Sequence, residues 1–371
     1  AGGRAAGRKV VIVVFGGGTR WSESFGDPER RFIPRLANEL APKGTLFSNV
    51  RVEGPVVHPN QTASIATGFR EYGHLDWSRP VEHPSIFEIH RKARGAPDTS
   101  AWLFAYASIL SGIGASSAGG FGPAFGANVV VPPTIPRKAA EEMDRLLRHA
   151  AASGIAEKEI EAAGAAARLA RTESRIDLAG LKSPGAKAFV GEAYAAWRKA
   201  DGSTSHDLFL SERAVECMKR FFPDVLMAAF GEIDCAHYGS WSRYTDAIRR
   251  TDDLTARLFS AAEAHPDYRG KTLFLVLPDH GRELEKPDGH GFIHHSDFYA
   301  DTGADEGCRR VWALAIGPGF PAGARSNIPR RLEAAAATAL SFLGLPPAPG
   351  AEPPLRPPIG TKPPKDSSGA D

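Results

Sequence analysis

At residues 275–282 an apolar run, Leu275-Val276-Leu277-Pro278, breaks off into Asp279-His280-Gly281-Arg282. A strand reads this way when both of its faces are covered and its C-terminal tip delivers polar side chains to a turn. The form recurs. Residues 225–231 are apolar and lead into Glu232 and Asp234, with His237 just beyond. Residues 9–15 are rich in valine and isoleucine and stop at Gly16-Gly17-Gly18. His290, His294 and His295 follow Asp279 within a short stretch. A chain with such strands needs helices on both sides of its sheet, and its carboxylates and imidazoles gather along one edge.

Helical segments lie between these strands. Apolar spacing predicts helices over residues 32–40, 85–92, 211–222, 244–264 and 330–343, and further strands over 45–52, 101–107 and 311–319. Residues 58–68 read as a loop entering a helix of small residues, in which Thr62, Ala63, Ser64, Ala66 and Thr67 permit close packing. Short apolar strands alternating with helices predict an α/β fold: a doubly wound, mostly parallel sheet sandwiched by helices, in one domain over residues 8–345. Residues 111–125, rich in glycine, alanine and serine, are expected to be a flexible loop. Residues 136–171 are rich in alanine, glutamate and arginine and predict a helical cap, part of an insertion at about 111–210. Residues 346–371 are expected to be a proline-rich disordered tail. In sheets of this kind ligands bind outside the carboxyl ends of the strands. Each Asp/His cluster falls at such an end.

Composition excludes several classes. The net charge of +2, from 45 basic and 43 acidic residues, makes no electrostatic case for nucleic acid. No apolar stretch is long enough for a membrane span. The first seven residues lack both a Met and an apolar core. The expectation is the mature end of an exported protein, periplasmic or extracellular, with a cytoplasmic protein as the other reading. Three cysteines, Cys217, Cys235 and Cys308, cannot form a fully paired disulfide framework. They read as small buried apolar residues. Cys235, inside the Asp234–His237 motif, is also a candidate thiolate ligand.

Asp and His at strand tips suit a divalent metal, because zinc, iron and manganese take carboxylate oxygen and imidazole nitrogen at about 2.0–2.2 Å. In Asp234-x-x-His237 a tight turn brings both side chains onto one ion. Asp279-His280 lies in a tip loop, where strand alternation no longer separates neighbours. Each motif alone is weak, since Asp-His-Gly is also a good turn sequence and a single surface histidine usually binds nothing. The set is more specific, and so is its order along the chain. The strand before Gly16, Thr67-Gly68, Asp234-x-x-His237-Tyr238-Gly239, Asp279-His280-Gly281-Arg282, His295 and Ala315-Ile316-Gly317-Pro318-Gly319 together resemble the alkaline phosphatase superfamily, above all its sulfatase and phosphodiesterase-like branches.

The resemblance spans about residues 8–345. It implies a metal-dependent phosphate or sulfate ester hydrolase, with two ions clamping the reacting centre and a hydroxyl or formylglycine nucleophile. It implies Asp234, His237 and a late histidine as ligands of one ion: His295 first, His294 next, His290 third. Asp279 and His280 correspond to half the ligands of the other ion. Zinc is the expected metal, and a small-molecule phosphate or sulfate ester or related anion the expected partner. Arg20, Arg282 and Asn60 are candidates for binding oxyanions.

The pattern breaks at two points. The family's first strand ends in an Asp that binds the second ion; here Gly16 and Gly17 stand there. The family's nucleophile stands ten residues before the glycine of the Thr-Gly pair, which is His58; alignment on Pro59-Asn60 gives Val57 instead. Neither carries a hydroxyl, and Thr62 or Ser64 would serve only in a shifted register. Both losses fall on the same ion. The expectation is one occupied site, two at most, with weak or no hydrolysis of the family type: a pseudoenzyme. The alternative is an active phosphatase, phosphodiesterase or sulfatase with a rearranged site. There Glu23, Asp27 or Glu53 replaces the lost Asp, or His58 itself is the nucleophile.

Overall fold

The computed structural model describes residues 7–72, 77, 79–133, 137–154, 181, 183–200, 204–295 and 305–357. Among them, nine strands form one sheet: β1 (Lys9–Phe15), β2 (Thr45–Arg51), β3 (Ala101–Ala105), β4 (Asn128–Val130), β5 (Val225–Phe230), β6 (Thr272–Pro278), β7 (Arg310–Ile316), β8 (Ala324–Ser326) and β9 (Arg330–Arg331). Their order is β4-β3-β5-β1-β6-β7-β2-β8, with β9 paired to β2. The centre of the sheet is parallel: β1 lies between β5 and β6, with Phe15 opposite Phe230 on one side and Pro278 on the other. Only the pairings of β7, with β6 and with β2, are antiparallel.

Alternation along β1 shows why these runs are apolar throughout. Val11, Val13 and Phe15 enter one hydrophobic layer, and Val10, Ile12 and Val14 the other. A strand covered on both faces has no position where a polar side chain costs little, so polarity is deferred to the tip. The register brings the tips of β5, β1 and β6 side by side.

The helix His58–Thr67 points its first residue at these tips. All ten of its residues are buried, and Gly68 ends it with φ 84°. A side chain at Gly68 would press on the helix Ala334–Phe342, since an added Cβ would lie 3.2 Å from that of Ala336. Small residues in both helices permit this approach.

Several boundaries differ from the sequence-based expectation. The helix predicted over 330–343 begins at Ala334. Arg330 and Arg331 pair with Val50 and Arg51 instead, because the edge of β2 offers unpaired backbone groups there. The helix predicted from 211 begins at His206, where the Ser205 side chain caps it. Residues 111–125 are no flexible loop. The buried carboxylate of Glu88 accepts hydrogen bonds from Ser116 N at 3.0 Å, Ser116 Oγ at 2.8 Å and Gly122 N at 2.7 Å, and these pin the segment. Much of the expected insertion is core: β4 joins the sheet, and the helix Pro184–Ala200 packs Phe189 edge-on against Trp102. Residues 137–152 are helical, but half of the expected cap falls outside the described residues. The expected tail is docked as far as Leu355, which is buried and donates its N–H to Thr338 Oγ1. No described helix is long and apolar enough to cross a membrane.

Candidate metal centre

Four chain segments converge at the strand tips. The turn Glu232–Tyr238 after β5 supplies Asp234 and His237. The tip of β6 supplies Asp279 and His280, and His295 follows the short turn Gly291–Ile293. The helix start supplies His58. Two groups have potential ligand atoms within 4.8 Å of one another: His58, Asp234, His237 and His295; and His58, Asp279 and His280. His58 belongs to both.

Hydrogen-bond partners assign the roles of the imidazoles. His295 Nδ1 lies 2.5 Å from Val56 O, so it carries the proton and Nε2 is the unprotonated nitrogen. That Nε2 is 2.9 Å from His237 Nε2, which is 3.1 Å from Asp234 Oδ1. Two imidazole nitrogens and a carboxylate oxygen thus converge on one point. Burial, and then the charges of His58 and Arg282, hold His295 down at about 2, the neutral form a metal requires. Asp234 and His237 are about a third exposed, so the cluster opens to solvent. Burial raises the Asp234 carboxylate, but hydrogen bonds from His237 and His58 outweigh it and hold it far below the usual range.

The second group is closed. Asp279 and His280 are fully buried. Asp279 accepts from His280 N at 2.8 Å, from Gly17 N and Gly18 N at 3.4 Å each, and from His58 Nδ1 at 2.8 Å. His280 donates Nδ1–H to Gly281 O at 2.7 Å, which leaves its Nε2 as acceptor, 2.8 Å from His58 Nδ1. On its other side, His58 Nε2 lies 2.8 Å from Asp234 Oδ1. Both nitrogens of His58 therefore face acceptors, and the ring carries both protons. Burial alone would lower the His58 pKa; the carboxylates of Asp279 and Asp234 outweigh it and bring it to about 9. Neither nitrogen has a lone pair to offer a substrate, which argues against the nucleophile role considered for His58.

A raised pKa gives a pH signature. The contribution of His58 to folding is fully present below its ordinary value of 6.5 and is lost as pH rises through about 9. Metal-free protein is expected to lose stability across that window in denaturant titrations. A His58→Ala variant should not share the decline.

The glycines at the tip of β1 are a floor for these groups. A Cβ on Gly16 would lie 2.1 Å from Phe230 O, and one on Gly17, where φ is 112°, 2.3 Å from Asp234 N. A Cβ on Gly18 would meet the His280 ring at 2.8 Å. The run is required for close approach, beyond lacking a ligand.

Other candidates lie elsewhere. Arg282 spends its guanidinium on Gly17 O, Gly18 O, Ile293 O and, at 3.3 Å, Asp234. It braces the turns and leaves no fork for an oxyanion. Arg20 is paired with Glu23 and Glu285, so neither it nor Glu23 faces the cluster. Asp27 pairs with Arg31, and Glu53 with Arg70 and Arg331, which leaves no carboxylate from this set beside Gly16. Asn60 donates to Glu71 O and Tyr72 O and accepts from Trp77, so it holds the following loop. Thr62 is buried within the helix. His290 and His294 are exposed and outside both groups. Cys235 is half-buried and is a ligand in neither. Val57 is the buried N-cap of this helix, and His58, the next residue, is the one whose ring reaches Asp234 and Asp279.

Two neighbours went unnoticed in the sequence. Tyr106, just beyond β3, stands edge-on to His58 with ring centroids 6.2 Å apart. Asp207 hydrogen-bonds the backbone where β5 ends. For Tyr106 the position just past a strand was the available signal; Asp207, near the start of a helix, offered none that pointed to the site.

A parallel sheet carrying Asp and His at adjacent strand tips defines a class of α/β proteins with a metal-type centre on the sheet edge. No protein-family model and no curated protein matches the sequence. Solved structures do match. A phosphonate monoester hydrolase from Silicibacter pomeroyi is 14% identical, with TM-score 0.55, over 94% of this chain and 75% of that one. A sulfatase from Pseudoalteromonas sp. is 14% identical, with TM-score 0.52, over 92% and 68%. A protein in the alkaline phosphatase superfamily from Vibrio parahaemolyticus is 14% identical, with TM-score 0.51, over 91% and 66%. The chain has the alkaline phosphatase-like fold.

Proposed function

We propose that this chain is a one-ion member of the alkaline phosphatase superfamily. It binds a small phosphate or sulfate ester or related anion and does not carry out the family's covalent hydrolysis. The observation that carries this reading is the His58 ring, hydrogen-bonded at 2.8 Å to Asp279 on one side and to Asp234 on the other. It stands where the nucleophile is expected, and with the glycine N–H groups it satisfies the carboxylate that would face a second ion.

Asp234, His237 and His295 fit a single divalent ion. Their donor set is one carboxylate and two imidazoles, the set zinc accepts with a position left open. When bound, the ion supplies a Lewis-acidic centre for an anionic oxygen. The chain's own groups then have limited parts. Asp234 and His237 line the open side, while His295 is held in its tautomer by Val56 O. His58 keeps both of its ring protons, one toward each carboxylate.

The test is zinc stoichiometry measured beside a panel of aryl phosphate, phosphodiester and sulfate esters. One ion per chain, anion binding that depends on it and no turnover are expected. Two ions with turnover that Asp279→Ala abolishes would establish the rearranged hydrolase instead.

A further inference from the structure

The turn that carries Asp234 and His237 is gripped from outside the cluster. Asp207 is the second residue of the helix His206–Phe221 and is 1% exposed. Its carboxylate accepts from Gly231 N at 2.9 Å and from Glu232 N at 2.9 Å. Glu232 returns the contact: its Oε1 accepts Asp207 N at 3.2 Å, and its Oε2 accepts Arg250 Nε at 2.9 Å. Two helices are thereby fastened to the two residues that open the turn. The ring of Tyr106 lies flat on Gly231, where an added Cβ would sit 2.1 Å from Tyr106 Cγ. That ring abuts His58. A shift of Gly231 would therefore move the ligands directly and His58 through Tyr106.

We propose that Asp207 is a positioning residue of the metal centre, fixing the backbone of Gly231 and Glu232 so that Asp234 and His237 meet His295 at ligand distance. The proposal rests on the one-ion reading of the site. Two features favour it over a general structural role. The clasp holds the turn that supplies two of the three ligands, and it is reciprocal, so the start of the turn is fixed by two carboxylates at once. Outer partners of this kind typically change metal affinity about 10–100-fold.

Asp252 provides the control. It is also fully buried, and it accepts two backbone N–H groups, from Arg35 at 2.7 Å and Leu36 at 2.8 Å, neither of which belongs to the centre. Asp207→Asn and Asp252→Asn each turn one acceptor into a donor facing backbone amides. Burial and the charge of Glu232 raise Asp207 to about 7, so the comparison is made at pH 8, where the carboxylate is ionised.

Zinc affinity is measured by calorimetric titration of the metal alone into metal-free protein, beside the thermal midpoint of each variant. Both variants are expected to lower the midpoint, and Asp207→Asn alone to weaken zinc binding, by about tenfold or more. Equal affinities in the two variants would overturn the positioning role and leave Asp207 a structural clasp. If Asp207→Asn does not fold, Glu232→Gln weakens the same clasp from its other arm. A loss of zinc affinity beyond that of Asp252→Asn supports the proposal, and no such loss rejects it. Wild-type protein that binds no zinc overturns the one-ion reading and the positioning role with it.

Discussion

His58→Ala is expected to destabilise metal-free protein by about 3–5 kcal/mol, the range for removing one partner of a buried charge pair. The loss is large because three groups are stranded together. Asp279 is completely buried and keeps only backbone donors, His280 Nε2 loses its proton donor, and Asp234 loses one of its imidazoles. The same substitution opens room for an imidazole between two carboxylates and an imidazole nitrogen. Zinc is expected to enter it, so stoichiometry should rise from one ion to two and zinc should restore much of the lost stability. Denaturant titration with and without zinc, beside metal analysis, reads both effects. A variant as stable as the parent, or one that still takes a single ion, contradicts the account of His58 as the group that closes the second position.

The second large effect concerns the first strand. Gly16→Asp, which restores a carboxylate where related sequences are expected to have one, should cost about 4 kcal/mol or more and leave little soluble folded protein. An added Cβ would lie 2.1 Å from Phe230 O, and that carbonyl belongs to a central strand that cannot withdraw without breaking its ladder. The substituted chain should also fail to recover a second ion. Circular dichroism and soluble yield check the first point, metal content of any folded fraction the second. Stable protein holding two ions would mean that the tips of β1 and β5 are much looser than these contacts allow.

The sheet was legible because its central strands are covered on both faces. The runs read over residues 9–15 and 225–231 and up to Pro278 become β1, β5 and β6, which end at Phe15, Phe230 and Pro278. Asp234, His237, Asp279 and His280 were legible for the same reason, as polar residues just past those ends, whereas His295 was singled out among the late histidines only by the family resemblance. The arginines were not. Whether a guanidinium faces a ligand or a carbonyl depends on backbone geometry across segments far apart in sequence, and Arg282 finds Gly17 O at 2.5 Å across 265 positions. Nor was the meaning of Gly16-Gly17-Gly18 open to a linear reading. As letters they record a missing carboxylate; in space they are the clearance that lets Asp234 and His280 approach the strand. His58 was visible as an odd residue in an expected place, but its two partners are visible only once the sheet has brought three tips together.

The contacts of His58 have one more consequence, for the order in which the chain assembles. They join residues 176 and 221 positions apart, so they close long loops and gain nothing until β1, β5 and β6 are already aligned. Interactions made after the strands have aligned are expected to be missing from the folding transition state and to be broken on the way back to it. Their weight falls on the rate of unfolding. His58→Ala is therefore expected to speed unfolding far more than it slows folding, as for a latch fastened last, and stopped-flow folding and unfolding rates check this.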